Sequence, residues 1–214
     1  MLVNNAGYGH MGPVETVTDA EIRAQYETNV FGLVAMTRAF VPQMRERGWG
    51  RVINVSSVGG RVTIPLMGVY NSTKYAVESL SDALRVELAP FGVRVSIIEP
   101  GAIRSEFADV AMSTKKIQEG SPYAPVLADA DRMRKKFEAT EVGPKTVSRA
   151  IERAAIARWP NARYVAPRST YLFIALARLL PTSWMDAMLA WATGLSRRKL
   201  GLATRDGRAT AALG

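Results

Sequence analysis

Apolar and polar positions alternate along the chain in two rhythms. Short runs rich in β-branched residues, at 2–3, 51–55, 93–98 and 163–166, read as strands buried within a sheet. Between them lie segments with helical spacing. Thr18-Asp19-Ala20-Glu21 fits a capping box, in which side chain and backbone satisfy each other at a helix start. Ile22, Tyr26, Val30, Leu33 and Phe40 then form an apolar stripe, and Gly48-Trp49-Gly50 ends the unit. A second helix carries Tyr70 and runs to about Ala89, stopped by Pro90 and Gly92. A third covers 144–158 with Val147, Ile151, Ala154 and Ala155 turned inward. Strands alternating with helices predict an α/β fold with a parallel sheet and right-handed crossovers.

Two stretches fall outside this alternation. Residues 106–144 are polar, contain Met, and are interrupted by Pro122 and Pro125; they predict short helices in a mobile, lid-like segment. Residues 171–180 and 183–195 predict two apolar helices separated by Pro181. Arg178 and Pro181 interrupt them too early for a membrane span. They fit a cover over a substrate pocket or a subunit contact. With Trp184, Trp191 and the flanking Arg168, Arg197, Arg198 and Lys199 they also fit a membrane interface. From 199 to 214 the composition predicts a disordered tail after a domain spanning 1–198.

Composition narrows the chemistry. The 214 residues suffice for one domain with a sizeable core, and 48% hydrophobic content is ordinary for a globular protein. With no cysteine and His10 as the single histidine, neither a thiolate metal site nor a Ser-His-Asp triad can be assembled. No metal site is expected. The net charge of +9 is uneven: residues 1–144 hold 16 Lys/Arg against 16 Asp/Glu, whereas 145–214 hold 12 against 3. The whole excess sits in the C-terminal third, which suits an anionic neighbour there. A nucleic-acid role is not expected, because those basic residues are mixed with apolar helices and show no reading motif. No signal peptide precedes the first strand, so a cytoplasmic location is expected, with membrane association as an extension of it.

The candidate chemistry centres on residues 57–74. Tyr70 and Lys74 are four apart, one turn on one helix face. A cation a few ångströms from a phenol favours the phenolate and lowers its pKa, by at most about 4 kcal/mol at 4 Å. Such a tyrosine could exchange protons near neutral pH. Ser57 follows the apolar run 51–55, at the end of a sheet strand where open α/β sheets bind ligands. Asn29 interrupts an apolar helix face, so its amide must find partners or distort the helix. Asn4-Asn5-Ala6-Gly7 closes the first strand with small residues that let a ligand approach the backbone.

The ordered set Asn4-Asn5-Ala6-Gly7, Asn29, Ser57, Tyr70-x-x-x-Lys74 and Pro100-Gly101 resembles the short-chain dehydrogenase/reductase family. The resemblance covers roughly residues 1–105. The C-terminal segment looks like the subgroup that handles hydroxysteroids, retinoids and other lipophilic alcohols. It implies a Rossmann-type parallel sheet with helices on both faces, and an NAD(P)-dependent hydride transfer to or from a lipophilic alcohol or ketone. By the same resemblance Tyr70 is the general acid-base, and Lys74 assists it and holds the nicotinamide ribose. Ser57 would bind the substrate oxygen, and Asn29 a relay water. Asn5, Ala6 and Gly7 would line the cofactor; Pro100, Gly101, Ile103 and Ser105 would meet its nicotinamide end. Ser105 stands where the family usually has threonine. Homo-oligomers are usual in the family.

The family's Gly-rich turn and the residue selecting NAD or NADP have no counterpart here, so the two cofactors are not distinguished. The resemblance begins at the family's fourth strand. The expectation is therefore an N-terminally truncated sheet of about four strands with Leu2-Val3 at its edge. A catalytically inactive truncated protein, acting as a membrane-surface or partner-binding module, is the alternative reading.

Overall fold

The computed structural model describes residues 1–117 and 119–202. Its sheet contains β1 (Leu2–Asn4), β2 (Gly50–Val55), β3 (Val93–Pro100) and β4 (Arg163–Ala166), in that order and all parallel. Leu2 lies opposite Val52, Val52 opposite Val95, and Ile97 opposite Arg163.

The pleat of β2 divides the core in two, because neighbouring side chains point to opposite faces. Val52 joins Leu2, Val93 and Val95 on one face, beneath Val41 and Met44 of α2 (Gly32–Glu46) and Leu88 of α3 (Gly68–Leu88). Ile53 joins Ile98 and Ala166 on the other face, beneath Ala150 and Ala154 of α7 (Lys145–Ile156). Helices thus cover both faces, as the β-branched strands predict. Among the described residues β1 pairs with β2 alone and forms an edge of the sheet.

The first crossover departs from a simple helix. The capping box forms at the start of α1 (Asp19–Tyr26), with Glu21 N donating to Thr18 Oγ1 and Thr18 N to Glu21 Oε2. A π turn over Glu27–Phe31 follows before α2 begins. The inward stripe becomes Val30, Leu33, Thr37, Val41 and Met44, and Phe40, expected inside, is 43% exposed. Gly92, after α3, has φ +69°, and a Cβ there would lie 2.1 Å from Gly48 O, so only glycine fits this crossing.

Between β3 and α7 lie α4 (Glu106–Ser113), α5 (Ala124–Ala128) and α6 (Ala130–Glu138); α8 (Thr170–Leu179) and α9 (Thr182–Thr193) follow β4. Part of the expected tail, 199–202, lies within the described residues. Leu200 packs with Leu66, Val126 and Leu127, and Lys199 Nζ pairs with Asp129 at 2.5 Å. These contacts join Lys199 and Leu200 to α5 and the residue that follows it; the rest of the expected tail, 203–214, lies outside the described residues. Among the described residues no helix is long and apolar enough to cross a membrane.

Candidate active site

Three elements converge at the C-terminal ends of β1 and β2. The loop after β1 leaves Asn5, Ala6 and Gly7 exposed. The loop after β2 carries Ser57, whose hydroxyl accepts from Gly59 N at 3.0 Å. α3 delivers Tyr70 and Lys74, both buried. Lys74 Nζ donates to Val55 O at 3.0 Å, so the ammonium reaches back to the end of β2.

Asn29 ties these parts together. Its Oδ1 accepts from Tyr8 N at 3.1 Å, and its Nδ2 donates to Tyr8 O and to Thr73 Oγ1, each at 3.0 Å. The π turn thus puts a fully satisfied amide between the first loop and α3. A Cβ on Gly7 would stand 3.1 Å from Asn29 Oδ1 and 3.4 Å from Lys74 Nζ. Gly7 therefore keeps an exposed backbone cradle open beside a buried ammonium, which fits the ribose end of a nicotinamide dinucleotide.

The electrostatics correct one expectation. Burial pushes the Tyr70 phenol up to about 12, and hydrogen bonding to Ser57 offsets this only in part. Lys74 Nζ lies 5.8 Å from the ring centroid, against the face of the ring. Loss of water around the phenolate outweighs any help from the cation. Burial likewise lowers Lys74 to about 8, opposed by the charge of Glu78 one turn along α3.

Groups that the spacing did not flag complete the surroundings. Phe107 of α4 stacks on Tyr70 with centroids 5.2 Å apart and planes tilted by 54°. It also approaches Gly9, where a Cβ would meet its ring at 2.8 Å and Met67 at 3.3 Å. Behind Lys74, Arg61 binds Glu99 at 2.6 Å. Arg163 of β4 reaches Glu99 at 3.0 Å, Glu78 at 3.2 Å and Asp82 at 2.6 Å. Arg61 is thus committed to an internal ion pair. Burial raises the Glu78 carboxyl despite the two guanidiniums. Glu78 at i+4 from Lys74 was a readable signal; Glu99 and Arg163 were not, because the sheet alone brings them there.

The second half of the expected cofactor set, Pro100, Gly101, Ile103 and Ser105, lies at the end of β3. Gly101 N donates to Ala166 O at 2.8 Å, and a Cβ there would meet Thr170 Oγ1 of α8 at 2.5 Å. Ile103 bridges to Val142, and Ser105 begins α4, two residues before Phe107. His10 is a buried loop residue, and burial lowers its pKa. Among the described residues no group of three His, Cys, Asp or Glu side chains could hold a metal.

Comparison with known proteins gives a consistent picture. Residues 1–116 match the family described as short chain dehydrogenase. A probable short-chain type dehydrogenase/reductase of Helicobacter pylori is 33% identical over 188 residues, covering 88% of this chain and 69% of the relative. An NADPH-dependent 3-dehydrocapnine reductase of Ornithobacterium rhinotracheale is 37% identical over 190 residues, covering 87% and 67%. A solved short-chain dehydrogenase from Streptomyces avermitilis is 33% identical with a TM-score of 0.66, covering 94% of this chain and 70% of that one. One from Burkholderia phymatum, in complex with NAD, is 25% identical with a TM-score of 0.68, covering 82% and 64%. The chain thus spans about two thirds of the length of these relatives.

Proposed function

The chain belongs to the short chain dehydrogenase family, and on that premise we propose that it is an NAD(P)-dependent oxidoreductase acting on a lipophilic alcohol or ketone. The observation that carries this reading is the convergence of Ser57, Tyr70 and Lys74 beside the open backbone at Gly7. A nicotinamide dinucleotide, when bound, supplies or accepts the hydride. The chain's own residues handle the oxygen. Ser57 donates a hydrogen bond to the carbonyl oxygen, and Tyr70 passes its proton to that oxygen as negative charge develops. Lys74, against the ring face, stabilises the phenolate left behind. A phenol near pKa 12 is protonated at neutral pH, which suits reduction. Asn29 holds the Tyr8 backbone and Thr73 so that loop and helix keep their spacing; a relay water beside it is part of the reading.

Gly7, with Asn5 and Ala6, would take the ribose side of the cofactor; Pro100, Gly101, Ile103 and Ser105 would take the nicotinamide end. A lipophilic substrate is supported by the apolar cover on Tyr70, made by Phe107 with Met67 and Ala111 nearby. Relatives named as reductases of 3-dehydrocapnine and 3-ketodihydrosphingosine support it further. Fluorescence titration of the chain with NADH and NADPH tests the proposal. Saturable binding of either is expected; absence of both would overturn cofactor use by this chain. The competing reading, a module that binds a membrane surface through residues 168–199, is favoured by the exposed apolar faces of α8 and α9.

A further inference from the structure

α8 and α9 each bury one side and leave an apolar stripe facing out. α8 buries Ile174, while Leu172, Leu176 and Leu179, at spacings of four and three, are 69%, 39% and 81% exposed. α9 buries Met185 and Thr193, while Trp184 and Trp191, seven apart on one helix face, are 66% and 85% exposed. Only Leu180 and Pro181 separate the two helices. Leucines at these positions would be expected in a core, and tryptophans this exposed within a helix add nothing to the packing of the sheet.

Charge identifies the occupant. Across 168–202 the sequence carries Arg168, Arg178, Arg197, Arg198 and Lys199 against the single acid Asp186. Arg168, Arg178, Arg197 and Arg198 are exposed. A second copy of the same face would bring like charge against like charge. An anionic surface offers both an apolar interior for Leu and Trp and counter-charges for Arg. Tryptophan suits such a boundary because its ring is apolar and its N–H polar.

We infer that α8 and α9 form a peripheral docking face for an anionic lipid bilayer, with Leu172, Leu176, Leu179, Trp184 and Trp191 inserted at the headgroup level and the arginines on phosphate. The helices lie on the membrane without crossing it, in keeping with their length. This deepens the lipophilic-substrate reading by giving the enzyme a place to meet such a substrate, but the contact needs neither cofactor nor turnover. A failed cofactor titration would therefore leave it standing.

The test is co-sedimentation of the 214-residue chain with vesicles of phosphatidylcholine alone, or with phosphatidylserine added, at low and high salt. Binding is expected to need phosphatidylserine and to weaken as salt rises. Arg197→Gln with Arg198→Gln should weaken it about tenfold or more. Trp184→Ser with Trp191→Ser should weaken it by a similar factor at unchanged circular dichroism. Because the chain has no cysteine, Trp191→Cys carries a single environment-sensitive label. A blue shift of that label on anionic vesicles supports insertion. No vesicle binding at low salt, binding indifferent to both pairs of substitutions, or a label that stays in water would each overturn the inference. So would a dimer in sedimentation velocity that the tryptophan substitutions dissolve, since the face would then belong to a second copy.

Discussion

At Asn29 a polar side chain is buried and paired, whereas along α8 and α9 apolar side chains are exposed. Asn29 is 1% exposed and makes three hydrogen bonds, while Trp191 is 85% exposed. The charges follow the same division, cancelling over 1–144 and leaving the whole +9 over 145–214. In the first region each buried donor or acceptor costs free energy unless a partner is fixed in place, so the burial enforces geometry. In the second region the chain forgoes hydrophobic stabilisation that the same residues would gain inside, which is sensible only if another surface supplies it. One region is thus built for internal precision and the other for an external contact.

Substitutions can break that contrast. The largest effect is expected at Tyr70. Tyr70→Phe keeps the ring against Phe107 but removes the transferable proton, so reduction of a lipophilic ketone with NADPH should fall by about 10²–10⁴-fold. Retained turnover at unchanged fold would remove Tyr70 from the chemistry. Next comes Asn29→Leu, which fills the volume but strands Tyr8 N and takes one partner each from Tyr8 O, which keeps Gln25 Nε2, and from the Thr73 hydroxyl, which still donates to Tyr70 O. A loss of about 1–3 kcal/mol in urea unfolding is expected. A loss under about 0.5 kcal/mol would mean that the amide is not what joins loop to helix.

Much of the first region was legible in order of residues. α3, β4 and the capping box could be read because each rests on local spacing, and so could the sharing of one helix face by Tyr70 and Lys74. The inward face of α2 was misread at Phe40 because the buried positions run Leu33, Thr37, Val41 and Met44, which leaves Phe40 at the edge of that face, and the sequence stripe passed over the polar Thr37. Phe107 on Tyr70 and Arg163 beside Glu99 join residues from separate elements, and no local pattern carries that information. The direction of the Tyr70 shift was also out of reach. Spacing reveals the neighbouring cation, but only the packed structure reveals how completely the phenol loses water.

The buried ammonium gives a prediction in pH. Lys74 is lowered from its ordinary value to about 8 by burial. A depressed folded-state pKa means that the group's contribution to stability is full above the unfolded pKa and is lost as pH falls through about 8. Stability should therefore rise between pH 8 and 9, by about 1 kcal/mol from this group. Glu78 and Tyr70 do not interfere in that interval. Both are raised, so the stability Glu78 contributes fades as pH rises above the ordinary carboxylate range, and that of Tyr70 fades only above about 10. Lys74→Met should flatten the rise in urea midpoints between pH 8 and 9. An unchanged slope would mean that the ammonium is not the group that titrates.

The smallest effect is expected where the exposure is greatest. Trp191 is 85% exposed on α9, so it contributes little to the folded state, and serine is nearly as tolerable in a helix as tryptophan. Trp191→Ser should change the free energy of unfolding by no more than about 0.5 kcal/mol. Urea denaturation without lipid measures this directly. A loss of about 2 kcal/mol would mean that the ring packs against the protein in solution, and the contrast between a self-satisfied active-site half and an outward-facing C-terminal pair would fail at its most exposed residue. A negligible loss, together with weaker binding to anionic vesicles, would separate the two roles: Trp191 would matter to the contact and not to the fold.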